Sequence, residues 1–97
     1  MIIEVADIEV AAERQEEFAK AIVRGVETVI SKADGYQGYQ VLHGIESPGR
    51  FLLQIKWKTL ENHTVDFRQS EAFSEWRSIV GPFFLRPPIV EHFSVIS

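Results

Sequence analysis

A short stretch of the chain carries a histidine, an arginine and three aromatic rings at spacings that could form a pocket. His63 precedes Phe67 by four residues, so on a helix the two side chains would point the same way. A near-neutral imidazole can take a proton from a phenol or an enol at physiological pH, which makes His63 a candidate general base. Arg68 is a candidate for holding an anionic oxygen. Trp57, Phe67 and Trp76 could enclose a planar ligand, because binding pockets are mostly apolar with a few polar groups.

Each of these residues also has an ordinary structural interpretation. His63 could bridge polar groups at a partly buried helix start, and rings at strand and helix spacing usually pack in a core. Arg68, Arg77 and Arg86 could form surface salt bridges, the last two with Glu71, Glu75 and Glu91 or across a dimer. His92 could face either a pocket or a partner of the sheet. The residue types alone leave both interpretations open.

The apolar pattern predicts the elements that would position these side chains. A strand, a helix, two strands, a broken helix and a last strand are predicted over residues 2–10, 13–32, 36–46, 50–58, 60–68 with 71–80, and 89–96. The tripeptide Ser47-Pro48-Gly49 separates the two central strands, which predicts an antiparallel hairpin. Thr59 and Ser70 can cap the two pieces of the broken helix.

The order β-α-β-β-α-β predicts an α+β fold of the ferredoxin-like type, with an antiparallel four-stranded sheet and two helices on one face. Residues 1–97 are expected to form one domain, since a chain of this length supports a single core. The first and last strands carry apolar residues on both faces. A second copy of the sheet would cover the face without helices, so we expect a homodimer.

Composition argues against several classes of function. The formal net charge of −4 does not favour nucleic acid, and the chain has no cysteine for thiolate metal sites or disulfides. His43, His63 and His92 lack the spacing of a metal-ligand motif, and no glycine-rich nucleotide motif occurs. No basic leader and no long apolar run is present. We therefore expect a cytoplasmic protein with no metal site, no nucleotide cofactor and no nucleic-acid or membrane partner.

A spaced pattern in the second half of the chain resembles the antibiotic biosynthesis monooxygenase (ABM) family. The pattern consists of Trp57, Thr59, Glu61 and His63; Phe67, Arg68 and Ser70; Trp76-Arg77; and Pro88, Val90 and His92. The resemblance extends over nearly the whole chain, including the first strand and the Asp34-Gly35-Tyr36 turn.

The resemblance implies a dimeric α+β barrel with a pocket between sheet and helices in each protomer. It also implies a cofactor-independent monooxygenase in which a small aromatic substrate, such as an anthrone or quinol, loses a proton and its anion reacts with dioxygen. His63 would then assist deprotonation, Arg68 would steady the anion, and Trp57, Phe67 and Trp76 would hold the ring. The alternatives are an isomerase of a small metabolite and a non-catalytic ligand-binding or stress-response dimer of the same fold.

Some relatives in this family degrade haem with an asparagine, a tryptophan and a haem-ligating histidine. Aligned on Trp57 and Phe73, this chain has Asp7, Asp66 and Trp76 at those positions. The resemblance therefore implies that no stable haem complex forms.

Overall fold

Four strands form a single antiparallel sheet. The computed structural model describes residues 1–97, and the strands are β1 (Ile2–Glu9), β2 (Tyr36–His43), β3 (Arg50–Trp57) and β4 (Ile89–Ser94). Their order across the sheet is β2-β3-β1-β4, with antiparallel pairing throughout. Helical segments connect β1 to β2 and β3 to β4, which is the ferredoxin-like arrangement, so the expected α+β fold is confirmed.

The loop between β2 and β3 is longer than the apolar pattern predicts, because β2 is shorter. The strand β2 was expected to reach residue 46 but ends at His43. Beyond it, the Gly44 N–H donates to the Arg50 carbonyl (2.8 Å), and the Arg50 N–H donates back to the Ser47 carbonyl (2.9 Å). These two bonds satisfy the strand ends and leave the intervening residues as a loop.

The helical segments differ in type. They are α1 (Gln15–Thr28), a π-helix (Asn62–Phe67) and α2 (Glu71–Val80), with 3₁₀ turns at Ala12–Arg14, Ile30–Lys32 and Gly81–Phe83. The first helix was predicted as one element over residues 13–32, but both ends tighten into 3₁₀ turns. At the second end, the hydroxyls of Thr28 and Ser31 donate to carbonyls of the preceding turn (2.7 Å each), a local bond that bends helices. None of these helices has the length and apolar character needed to span a bilayer.

The core lies between the helices and one face of the sheet. Phe51, Leu53, Ile55 and Trp57, which alternate along β3, are all at most 1% exposed, as their spacing predicts. An apolar stripe of α1 packs against them, with Phe18, Ile22 and Val26 fully buried. Any site between the sheet and the helices therefore has this buried face of the sheet as its floor.

The opposite face of the sheet has no helix on it. Ile3 and Val5 of β1 point to this open face, as does Leu52 of β3. On the adjacent edge strand β4, Ile89 and Phe93 are 52% and 51% exposed. Apolar side chains therefore lie on several strands of this face, beside the charged side chains of Asp7, Lys56 and Glu91.

Candidate functional site

A cavity of about 380 Å³ lies between the sheet and the second half of the helical layer. Its floor is apolar and comes from Ala6, Ile8, Leu53 and Val90. Aromatic side chains form much of its wall: Phe67, Phe73, Trp76 and Phe84. This volume and lining fall in the range of small-molecule sites, where apolar surface surrounds a few polar groups.

A buried carboxyl group, that of Glu4, lines the cavity at one end of its β1 floor. Glu4 is 6% exposed, and its Oε1 accepts a hydrogen bond from the Nε1–H of Trp57 (2.9 Å). Burial raises the pKa of Glu4 to about 7, against the opposing effects of the Trp57 bond and the Arg68 charge. This carboxyl group can therefore both hold and release a proton near neutral pH.

His63 lies beside this carboxyl group and connects it to a second histidine. His63 is 3% exposed, its Nε2 is 3.3 Å from Glu4 Oε1, and its Nδ1 is 2.8 Å from Nε2 of His92. Burial lowers the pKa of His63 to about 4, helped by the charges of Arg68 and His92, so its imidazole is neutral at pH 7. A neutral ring donates through one nitrogen and accepts through the other, so His63 can pass a proton between His92 and Glu4.

His92 joins this chain of polar groups from the edge strand. It pairs directly with Glu4 across the β1 and β4 ladder, so both side chains face the helices. Burial and the Arg68 charge lower its pKa. The sequence left the direction of His92 open, and the structure places it on the helical side, in contact with His63. Glu4, His63 and His92 are linked in a row and do not surround a common point. No three His, Asp or Glu side chains are arranged to hold a metal ion.

The π-helix explains how His63 and Arg68 come to line the same cavity. Its wider turn is closed by a bond from the Arg68 N–H to the His63 carbonyl (3.2 Å), five residues apart. Phe67 and Arg68, four and five positions after His63, therefore both lie on the same side of the helix as His63, and all three line the cavity. At the start of this segment the Thr59 hydroxyl accepts the Asn62 N–H (3.2 Å), which confirms the first predicted cap. Ser70 precedes α2 but does not cap it, because its hydroxyl donates to the Phe67 carbonyl (2.6 Å).

Two arginines, Arg68 and Arg77, line the cavity without forming a salt bridge. Within the protomer Arg77 pairs with no glutamate, and Arg86 pairs with Glu9 (2.9 Å), which was not among the glutamates considered for it. Both cavity arginines are exposed. Their charges face a mostly apolar cavity whose one carboxyl group is partly neutral, so the cavity favours anions.

The structure brings four of the five predicted site residues together: His63, Arg68, Phe67 and Trp76 all line the cavity. Trp57 does not line it, because its ring is fully buried behind His63, with ring centroids 5.4 Å apart and planes within 17°. Its indole N–H instead anchors Glu4. Asp7, on the open face of the sheet, forms a two-point ion pair with Arg50 (3.1 and 2.8 Å) and lies outside the cavity.

Glu4 was not among the predicted site residues, although its position in the first strand indicates burial. Glu4 is in phase with Ala6 and Ile8 on β1, so the alternation that buries those two residues also buries the carboxyl group. A charged residue in phase with a buried face needs partners, and Trp57 and His63 supply them.

Comparison with known proteins places the chain in a family. The sequence model of the family described as antibiotic biosynthesis monooxygenase matches residues 1–78. An uncharacterized Bacillus subtilis (strain 168) protein, YczJ, is 33% identical over 93 residues, which span 96% of this chain and 97% of YczJ. The chain therefore belongs to the antibiotic biosynthesis monooxygenase family.

Solved structures agree with this assignment. A crystal structure from Bordetella bronchiseptica, of a protein named a candidate antibiotic biosynthesis monooxygenase, is 38% identical with a TM-score of 0.93, and the match covers 99% of this chain and 97% of that one. A conserved protein from Methanosarcina mazei Go1 shares the fold at 22% identity, with a TM-score of 0.78 and coverage of 95% and 89%.

Proposed function

We propose that this protein is a cofactor-independent monooxygenase of a small hydroxylated aromatic substrate of the anthrone or quinol type. The observation that carries the proposal is the buried Glu4 and His63 pair at the end of an aromatic-lined cavity. A carboxyl group with a pKa near 7 suits proton removal from weakly acidic carbon or oxygen at neutral pH. Membership of the family supports the oxygenase class.

The proposed reaction needs a group that both takes and returns protons. For an anthrone-type CH₂ group, Glu4, assisted by His63, removes one proton and the substrate becomes an anion. That anion gives its electrons to dioxygen and forms a C–O bond, and the peroxide takes the proton back. Loss of the second C–H proton with cleavage of the O–O bond then yields C=O and water, so one oxygen atom enters the product.

The remaining cavity residues have supporting roles in this proposal. Arg68 stabilises the substrate anion, because a fixed cation near developing negative charge lowers the barrier in an apolar site. Phe67 and Trp76 hold the ring in contact with the polar pair. Trp57 holds the Glu4 carboxyl group in position through its N–H.

Replacing His63 tests the proposal directly. After treatment with a chelator, the wild-type protein should consume dioxygen above the spontaneous rate with at least one member of a panel of anthrones, quinols and catechols. His63→Ala should lower that rate by about 100-fold, the lower end of the usual contribution of acid–base catalysis. The measurement is dioxygen uptake with an oxygen electrode, together with product analysis.

His43→Ala is the matched control for this experiment. His43 stacks on Phe51 and its Nε2 contacts the Pro48 carbonyl (2.6 Å), outside the cavity, so uptake should be unchanged. Equal uptake by wild type and His63→Ala would contradict the role of His63. Conversion of a substrate with no dioxygen consumed would instead identify an isomerase.

We also propose that two copies of the chain pack through the open face of the sheet. Phe93 and Ile89 on this face are half exposed in one protomer, and burying them favours association. Light scattering at micromolar concentration should give the mass of a dimer, and Phe93→Glu should shift it to a monomer. Val23→Glu, on the exposed side of α1, should remain dimeric. A monomeric wild-type protein would contradict this proposal.

A further inference from the structure

Arg77 occupies a part of the cavity that the proposed reaction does not use. Its guanidinium carbon lies 5.9 Å from the ring centroids of both Phe73 and Phe84, and these two rings line the cavity. This distance is near the outer limit of cation–π contacts, so the rings orient the group but do not satisfy its N–H donors. No carboxylate lies within salt-bridge distance of Arg77.

The two arginines act at different ends of the cavity floor. Along β1 the floor runs from Glu4 to Ile8, roughly 13 Å at the usual rise of a strand. Arg68 belongs to the Glu4 end, since its charge acts on the pKa of Glu4 and His63. Phe84, beside Arg77, pairs with Val10 just beyond the other end of that strand. A cation is therefore available far from the proton-transfer pair.

The dimensions of the cavity indicate the size of the ligand. A cavity of about 150 Å³ holds one benzene ring, whereas this cavity measures about 380 Å³. Two or three fused rings therefore fit along the floor. A ligand that reaches from Glu4 to Arg77 would place a hydroxyl group at one end and an anionic group at the other.

We propose that Arg77 binds the carboxylate of a fused-ring hydroxyaromatic acid, whose hydroxylated end lies at Glu4. This inference rests on the proposed function for the orientation of the ligand, and it adds the substrate class. A planar guanidinium binds a carboxylate through two parallel hydrogen bonds, which makes Arg77 the residue that selects acids over neutral analogues. The positive charge of the cavity in a chain of net charge −4 points the same way.

Calorimetric titration of the full chain tests this assignment without any need for turnover. The probe is 6-hydroxy-2-naphthoate, which carries its two groups at opposite ends, and the matched neutral ligand is its methyl ester. Wild type should bind the acid at least about 10-fold more tightly than the ester, as expected for charged hydrogen bonds. Arg77→Gln should lose that preference while still binding the ester, and Arg77→Lys should retain part of it.

Arg14→Gln is the control, because Arg14 also lies over a ring, Phe83 (4.2 Å), but outside the cavity. It should keep the full preference for the acid. Equal affinity of wild type for acid and ester, no binding of either, or a preference retained by Arg77→Gln would each overturn the assignment. A protein that prefers the acid but consumes no dioxygen would overturn the proposed function alone. Oxidation of neutral quinols by a protein without the preference would overturn the carboxylate site alone.

Discussion

Glu4→Gln should raise the free energy of unfolding at pH 8 by about 3 kcal/mol, because it removes a carboxylate that is costly to bury. One pKa unit corresponds to about 1.36 kcal/mol, and burial raises the pKa of Glu4 from 4.5 to about 7. Glutamine keeps an oxygen that accepts the Trp57 N–H, so the anchor of the side chain is preserved. Urea unfolding of both proteins at several pH values measures the difference.

The sign of the pH dependence follows from two opposing shifts. The raised pKa of Glu4 contributes stability that is fully present below pH 4.5 and is lost as the pH rises through 7. The lowered pKa of His63 contributes stability that is present above pH 6.5 and is lost as the pH falls towards 4. In the wild-type protein these effects nearly cancel between pH 5 and 8.

Glu4→Gln removes one of the two shifts and so exposes the other. The advantage of the variant should shrink to about 1 kcal/mol at pH 5, and the variant itself should lose about 2 kcal/mol between pH 8 and pH 5. Glu46→Gln removes an exposed carboxylate from the loop between β2 and β3 and should change stability by only a few tenths of a kcal/mol. A gain from Glu4→Gln that is equal at pH 5 and pH 8, or a loss at pH 8, would show that Glu4 is not a costly buried carboxylate.

Gly35→Ala should lower the free energy of unfolding by about 4 kcal/mol, the sum of backbone strain and overpacking. Gly35 has a φ of +84°, a left-handed conformation that alanine adopts only with strain. A Cβ atom there would also overlap the side chain of Asn62. Asn62 cannot move freely, because its Oδ1 accepts the N–H and the hydroxyl of Thr59 (3.1 and 2.9 Å). Urea unfolding measures the loss.

The Gly35 substitution should also disturb the candidate site, because Asn62 begins the π-helix that carries His63. The control is Gly38→Ala, at a φ of +134° with no atom within 4 Å of the added Cβ. Gly38→Ala should be destabilised by strain alone and should keep the wild-type affinity for 6-hydroxy-2-naphthoate, whereas Gly35→Ala should bind it more weakly. Unchanged stability of Gly35→Ala would contradict the overlap with Asn62.

The fold could be predicted from local patterns because the spacing of apolar residues distinguishes strands from helices. Alternation from Phe51 to Trp57 specifies a strand with one buried face, and the structure buries that face. An isolated glycine in a strand, such as Gly38, is typical of a bulge, and the β2–β3 register shifts between Tyr36 and Gly38. Element ends were less predictable, as at His43, because hydrogen bonds across the hairpin decide them.

The candidate site could be predicted only in part. Composition singled out His63, Arg68, Phe67 and Trp76, because polar and aromatic residues at helical spacing are visible in the sequence. The role of Trp57 could not be predicted, because it depends on Glu4, which lies far away in the chain and reaches Trp57 only across the sheet. The π-helix also escaped prediction, since its residues would suit an α-helix equally well and tertiary packing selects the wider turn.

The pairing of β1 with β4 has a consequence for the order of folding. Glu4 and His92 are far apart in the sequence, yet they are direct partners in the sheet. Contacts between such distant residues are slow to form, because closing a long loop costs entropy before any contact compensates for it. The hairpin of β2 and β3 can form early, whereas His92 reaches His63 and Glu4 only after β4 pairs with β1. Refolding kinetics should therefore show ligand-binding competence appearing no earlier than the last step of sheet formation.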